Sequence, residues 1–431
     1  MRNRFFALLI AAIMILGCCP AFASAEPETI TFWCAYKETY GMGDLIAAFE
    51  ELHPEINVEL MVANNSTDGN LAVDTALMAG GEIDVLLSYT TTRTEERASA
   101  GFLADLTDLI AAEGWDMAAN WGSDVKFTED QRYYGIPVDG LAWYVAINMT
   151  EWENAGLGEI PTAWTWDEYL AASKAMTREG MFGGSNTQET SNTMIYQVRQ
   201  QLGADVLYNE EGYSALIDNP MFRKAFDRMY QAEVVDKIWF PLTEYRANGL
   251  QTQNTFLTEQ VAMTVCCNMF RFIANTEEYP IDFKVAFAPY PTEEAGQTNY
   301  MSGPTPYGFA TIAADTEHFD AAWEFVKFFA TEGNKYLLKS GHLATYAGTD
   351  IDGAIGYIFG SEEKAAELID IPTFKEVVFN YDGDSYVDTI LHGAGETGIS
   401  AMLLSMLSDE ISADEGFEQM VEEINLAIDE L

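Results

Sequence analysis

Apolar and polar positions in this chain switch between two periods, and the switches mark out its elements. Thr29-Ile-Thr-Phe-Trp-Cys-Ala-Tyr36 is a short apolar run that suits a strand covered on both faces. From Gly43 to Leu52, residues Leu45, Ile46, Phe49 and Leu52 share one helical face with acids opposite, and Pro54 closes the helix. Ile56, Val58, Leu60 and Val62 then alternate with period two, which predicts a second strand. A helix around Ala72 to Met78 breaks at Gly80-Gly81 and leads into Ile83-Asp-Val-Leu-Leu87, a third buried strand. Strand–helix–strand–helix–strand predicts a parallel sheet with right-handed crossovers. In open α/β sheets ligands sit beyond the carboxyl ends of the strands. Those ends are Tyr36-Lys37-Glu38, Asn64-Asn65 and Tyr89-Thr90-Thr91-Thr92-Arg93.

The pattern changes at Arg132 to Asn148. Gly135 and Pro137 punctuate an extended stretch, and Trp143, Val145 and Ile147 alternate behind it. Proline cannot donate to a ladder and holds its predecessor extended, so a sheet is expected to end or change here. Asp139 and Trp143 lie where one lobe would hand the chain to another. Beyond it, Thr165-Trp-Asp-Glu168 has the form of a capping box, and Asn219-Pro220 opens a helix with Phe222, Phe226 and Met229 on one face. Phe283, Val285 and Phe287 predict another strand, and Asp315 is read as the cap of a helix carrying Phe319, Ala322, Trp323 and Val326. A last helix aligns Met420, Ile424 and Ile428. Trp33, Trp166 and Trp323 read as core on their element faces.

At 431 residues, 48% of them apolar, the chain is too long for one core and rich enough for two. The first 25 residues read as an address: Arg2 and Arg4, an apolar run from Phe5 to Leu16, then Pro20-Ala-Phe-Ala-Ser-Ala25 with cleavage before Glu26. The competing reading is lipid attachment at Cys18 in Ile15-Leu-Gly-Cys18. Either one implies export. A net charge of −46 argues against nucleic acid and anionic membranes and for a monomer. Cys34, Cys266 and Cys267 would remain, an odd set expected as buried thiols. Nucleotide loops, the serine elbow and the zinc helix motif are absent, and no cofactor is expected. His53, His318, His342 and His392 are dispersed and read as surface or capping residues. Asn380-Tyr-Asp-Gly-Asp384 begins like a calcium loop but has Ser385 at the sixth position and Leu391 at the twelfth.

Taken in order, several segments resemble the extracellular solute-binding proteins of ABC importers, in the carbohydrate-binding family that includes maltose-binding protein. They are Thr31-Phe-Trp with Leu45-Ile-Ala-Ala-Phe-Glu-Glu-Leu-His-Pro54, Asp84-Val-Leu-Leu87 with Ala100-Gly-Phe-Leu-Ala-Asp-Leu106, and Tyr134-Gly-Ile-Pro137 through Asn148. Ala155-Gly-Leu157 with Pro161, the capping box, Phe256-Leu-Thr-Glu-Gln-Val-Ala-Met263, the helix Ala321 to Phe329 and the acidic final helix complete the set. The chain departs from the family at Glu259, where glycine is usual, and at Leu343 to Thr345, which lacks the usual proline.

The resemblance implies a two-lobed periplasmic-binding-protein-like fold (type II), each lobe a mainly parallel sheet flanked by helices. Residues 26–137 and 304–345 would form the N-terminal lobe, and 138–303 with 346–431 the C-terminal lobe. Crossovers near Pro137, Ser302-Gly303 and Thr345 would act as a hinge closing on a small-molecule carbohydrate, delivered to membrane permease subunits without chemistry. Its ligand contacts carry over to Tyr36, Lys37 and Glu38, to Tyr89, Thr91 and Arg93, and to Asp139 and Trp143. Further contacts would come from Asn268 and Phe270 and from Ser302, Gly303 and Tyr307, with Trp239 and Arg246 as outliers. Two alternatives stand beside it: a binding protein for a polyamine, peptide or organic acid, and a secreted carbohydrate-active enzyme. Aromatic strand ends favour sugar, whereas a cleft ruled by Arg93, Arg246 and Arg271 would favour an acidic ligand such as a uronate.

Overall fold

The computed structural model describes residues 27–190, 192–203, 206–208, 217–380, 384 and 396–429. The segment read as a leader, with Cys18, and also His392 and most of the calcium-like loop lie outside these residues. Among the described residues, nine strands fall into two sheets. The first runs β2-β1-β3-β8-β4-β9, where β1 is Glu28–Cys34, β2 Ile56–Val62, β3 Val85–Tyr89, β4 Ile136–Leu141, β8 Thr305–Ile312 and β9 Leu343–Ala344. The second runs β6-β5-β7, where β5 is Tyr144–Asn148, β6 Met263–Cys266 and β7 Val285–Pro289.

The α/β, two-lobed reading holds, but the strand directions differ from expectation. β1 is parallel to β2 and β3, as the strand–helix alternation requires. β8 enters between β3 and β4 antiparallel to both, and β5 is antiparallel to β6 and β7. Neither added strand arrives through a local strand–helix–strand unit, so no crossover rule dictated its direction.

Local chemistry sets most boundaries. The helix Met42–Leu52 turns Met42, Leu45 and Phe49 inward, and Phe49 meets Phe325 edge-on at 5.1 Å. Phe325 and Phe329 belong to the helix Phe319–Ala330 and also pack on Phe32 of β1, which joins two distant segments of the chain in one core. The helix Thr67–Met78 starts earlier than its apolar positions suggested, because the Ser66 hydroxyl accepts from the Gly69 N–H at 3.2 Å. The capping box forms, with the Thr165 N–H donating to Glu168 at 2.7 Å, and Asn219 caps the helix Pro220–Tyr230. Asp315 does not cap Phe319–Ala330; the Thr316 hydroxyl accepts from the His318 N–H just before that helix. The last helix, Ala413–Asp429, buries Phe417, Met420, Ile424 and Ile428. Trp166 and Trp323 are buried, and Trp33 is half-buried with its indole N–H donating to the Glu82 carbonyl at 3.2 Å. Cys34 and Cys266 are buried free thiols, and Cys267 is half-buried.

The chain passes from the first sheet to the second within Ala142 and Trp143. β5 then sends alternate side chains into different cores: Val145 and Ile147 into one, Tyr144 and Ala146 into the other. The return at Met301 and Ser302 lies alongside. The Trp143 N–H donates to the Met301 carbonyl at 2.8 Å, and the Ser302 hydroxyl to the Trp143 carbonyl at 3.1 Å. The third passage is tied to the first by Thr345, whose hydroxyl donates to the Pro137 carbonyl at 2.7 Å. At Glu259, where glycine was the family's usual residue, φ is +57°, a left-handed conformation that accounts for that preference. Without a proline, Leu343 and Ala344 are free to pair with Gly140 and Asp139 as β9.

Candidate functional site

One row across the first sheet organises the site. Tyr89 of β3 pairs with Gly308 of β8, Gly308 with Asp139 of β4, and Asp139 with Ala344 of β9. The register of β4 shifts on both sides of Asp139, a bulge that re-aims this one side chain. Gly308 is required by close approach: a Cβ there would lie 2.9 Å from the Asp139 Cβ and 3.2 Å from its carboxylate. Just past β1, Tyr36 reaches over the same row and its hydroxyl donates to Asp139 Oδ2 at 2.6 Å. From the loop before β9, His342 places Nδ1 2.7 Å from Asp139 Oδ1 and 2.9 Å from the Tyr36 hydroxyl. Asp139 has no exposed surface.

Around this carboxylate four rings close a circuit. Tyr36 to Tyr89 is 5.8 Å, Tyr89 to Tyr307 5.7 Å, Tyr307 to His342 5.4 Å and His342 back to Tyr36 5.5 Å, all edge-on or tilted. Burial, and then the Asp139 carboxylate, push the Tyr36 phenol well above its usual value, so it stays a proton donor. Burial also raises Tyr89, whose hydroxyl accepts from the Ala35 N–H at 2.9 Å.

A polar chain braces the ring circuit from behind. Asn65 donates to the Tyr307 hydroxyl at 2.8 Å and accepts from Asn70 at 2.9 Å, and Asn70 in turn accepts from Arg97 at 3.1 Å. Arg97 is buried and also binds Ser88 and Asp74. Thr90, next to Tyr89, has φ +65°, a strained setting for a β-branched residue, held by its N–H donating to the Tyr307 carbonyl at 2.6 Å.

The thirteen candidates divide accordingly. Tyr36, Tyr89, Asp139 and Tyr307 meet in one cluster. Thr91 is half-buried at the start of the helix Thr91–Ser99, and Arg93 on the same helix turns to Asp74 at 3.7 Å, joining the brace instead of the row. Lys37 and Glu38 are exposed at the rim, and Lys37 lines a cleft of about 540 Å³ at the lobe boundary with Tyr40, Arg271 and Lys339. Asn268 is half-buried against Gly341, one residue before His342. Ser302 is buried as a crossover strut, accepting from the Tyr290 N–H at 2.8 Å, and Gly303 is buried beside it. Trp143 packs on Tyr196 at 4.6 Å inside the second-lobe core, and its indole N–H has no partner.

Three expectations need correction. Phe270 is fully buried against Phe374 at 5.5 Å, because the helix Met269–Ala274 turns it inward and presents Arg271 and Phe272 instead. Trp239 is fully buried, with its indole donating to Ser173, and Arg246 is exposed on the helix Leu242–Asn248. His342 is neither a surface nor a capping residue; it completes the cluster. Its signal was its position, one residue before the segment Leu343 to Thr345 where the chain was expected to cross. Among the described residues no group of His, Cys, Asp or Glu is arranged to hold a metal ion.

A sequence profile described as bacterial extracellular solute-binding protein matches residues 37–336, about two thirds of the chain and most of both sheets. The chain belongs to this family. Among curated protein sequences none matches it. Solved structures agree with the fold of a solute-binding protein. An ABC substrate-binding protein from Listeria monocytogenes in complex with cycloalternan has a TM-score of 0.73 at 18% identity, over 94% of this chain and 100% of that one. A sugar transporter protein from Rhizobium etli in an open conformation gives 0.71 at 17% identity, over 92% and 98%. A maltose-bound protein of T. maritima gives 0.70 at 19% identity, over 93% and 100%. This solute-binding protein therefore shares their architecture, and its ring circuit stands at the crossovers between the lobes. No helix among the described residues is long and apolar enough to cross a membrane.

Proposed function

We propose that this solute-binding protein captures a sugar or oligosaccharide between its lobes by hinge closure and delivers it to the permease subunits of an ABC importer. The observation that carries the reading is the closed circuit of Tyr36, Tyr89, Tyr307 and His342 around Asp139. Rings offer faces to the apolar side of a pyranose, and the half-buried Tyr307 offers a hydroxyl to its rim, while the buried Asp139 carboxylate orients the circuit from within. The lobes are taken as 26–137 with 304–345, and 138–303 with 346–431. The three adjacent crossovers bend together on closure, because hydrogen bonds tie each to its neighbour. The chain acts as a monomeric carrier that performs no chemistry on its cargo, exported by its leader and cut before Glu26 in preference to lipid attachment at Cys18. Solved structures of similar proteins bound to cycloalternan and to maltose support a saccharide ligand.

The test is a thermal-shift screen of the chain from Glu26 onward against neutral oligosaccharides, uronates, polyamines and organic acids. Ligand that binds only the folded state raises the melting temperature. A rise of several degrees with a saccharide, lost in Tyr307→Ala, is expected. A rise with polyamine or acyclic acid and none with any saccharide overturns the ligand and leaves the fold.

A further inference from the structure

The cleft of about 540 Å³ is built from both lobes and is more cationic than its surroundings. Lys37 and Lys339 reach it from the first lobe and Arg271 from the second, with the rings of Tyr40, Phe272 and Tyr279 between them. In a chain of 22 basic and 68 acidic residues, three cations meeting at one opening depart from the background. Lys339 is already paired, 2.8 Å from Asp44. Lys37 and Arg271 are different: among the described residues no carboxylate pairs with either. Arg271 donates to the Ser340 carbonyl at 2.9 Å and is held between Tyr40 at 5.2 Å and Phe272 at 4.4 Å. Its Nε is out of reach of solvent and has no hydrogen-bond partner. A guanidinium fixed in plane by two rings, with donors to spare, is matched to a planar anion such as a carboxylate. Glu278, an acid at the opening, is tied to Asn275 at 2.9 Å.

We propose that the cargo is an acidic saccharide, whose carboxylate pairs with Arg271 and Lys37 while a sugar ring lies on Tyr40 or Phe272. The proposal rests on the saccharide reading above and narrows it to uronates. The cleft and the Asp139 cluster are joined along the chain: Lys37 follows Tyr36, and Gly341, against which the Arg271 side chain packs, precedes His342. The net charge of −46 opposes an anionic ligand at long range. That repulsion is screened beyond roughly 8 Å at physiological salt, whereas Arg271 and Lys37 act at contact distance. The local cations therefore decide.

Isothermal titration at 150 mM salt tests it, using disaccharides of galacturonate, glucuronate and guluronate beside their carboxyl-reduced neutral forms, with sulfate as an anion lacking a ring. One uronate is expected to bind at least about tenfold tighter than its neutral form. Arg271→Gln should collapse that ratio by about ten- to a hundredfold, the worth of one charged hydrogen bond, and Arg271→Lys should restore part of it. Circular dichroism and an unchanged melting temperature without ligand show that the variants are folded; if Arg271→Gln does not fold, Lys37→Gln reads the same ratio. A neutral disaccharide bound as tightly as its uronate overturns the acidic class and leaves the saccharide reading standing. Sulfate bound with no uronate preference also overturns it. Failure of every saccharide overturns both.

Discussion

Removing the Asp139 side chain tests whether the cluster is a buried, mutually satisfied unit. In Asp139→Ala the Tyr36 hydroxyl and His342 Nδ1 lose the acceptors they meet at 2.6 and 2.7 Å. Tyr36 is 7% exposed and His342 9%, so water replaces those bonds poorly. Leaving a buried donor unsatisfied costs about 1–3 kcal/mol, so two give about 2–6 kcal/mol before any relaxation. Loss of the buried carboxylate itself offsets part of this, since its desolvation is unfavourable in the folded state. A net destabilisation of about 2–3 kcal/mol follows, or about 4–12 °C for a lobe of this size. Asp139→Asn separates stability from recognition. The amide keeps the volume, accepts from Tyr36 and can donate to His342, so it should stay within about 1 kcal/mol of wild type while weakening saccharide binding by about tenfold or more. Urea unfolding followed without ligand, with m-values compared for independent lobe transitions, gives the stabilities, and titration calorimetry gives the affinities. Equal stability of Asp139→Ala and wild type would refute the buried cluster. Wild-type affinity in Asp139→Asn would refute the carboxylate as the group that positions the ring circuit for its ligand.

Three further outcomes follow from the packing. Glu233 is fully buried and burial pushes its carboxyl up to about 8, only partly opposed by the Leu242 N–H that donates to it at 2.9 Å. The folded state therefore holds a proton that the unfolded chain has released between about pH 4.5 and 8, so stability falls as pH rises through that window and levels off above it. Glu233→Gln should flatten the slope and raise stability at pH 8 by about 3–5 kcal/mol, read from urea midpoints across pH. In Gly308→Ala the new methyl must displace Asp139, so saccharide affinity should fall by about tenfold or more in calorimetry while Ala at Gly101, where nothing lies within 4 Å, leaves affinity unchanged. Phe270→Ala should cost about 3–5 kcal/mol of stability as a core cavity. Phe270→Leu should bind saccharide as wild type does, and a large loss of affinity there would contradict the buried placement.

Much of this was legible in the sequence where a local rule operated. A short apolar run marked β1, period-two alternation β2 and helical spacing the helix Met42–Leu52, and side-chain caps marked the starts of Trp166–Met176 and Pro220–Tyr230. The position of Pro137 marked the region of the passage, though β4 continues to Leu141 before the chain leaves the first sheet. Strand ends supplied Tyr36 and Tyr89, and the resemblance supplied Asp139 and Tyr307.

By itself the sequence determined the main elements and the strand ends where a ligand group could stand, because each depends on residues a few positions apart. Tertiary structure alone decided which of those ends meet. β8 arrives from far along the chain to lie between β3 and β4, and its Gly308 is what allows Asp139 and Tyr89 to flank one point. His342 joins them from a third segment, and the inward turn of Phe270 is set by the Phe374 side chain waiting in the core. Pairing between distant segments is governed by shape and burial, and neither is written in the local period of the chain.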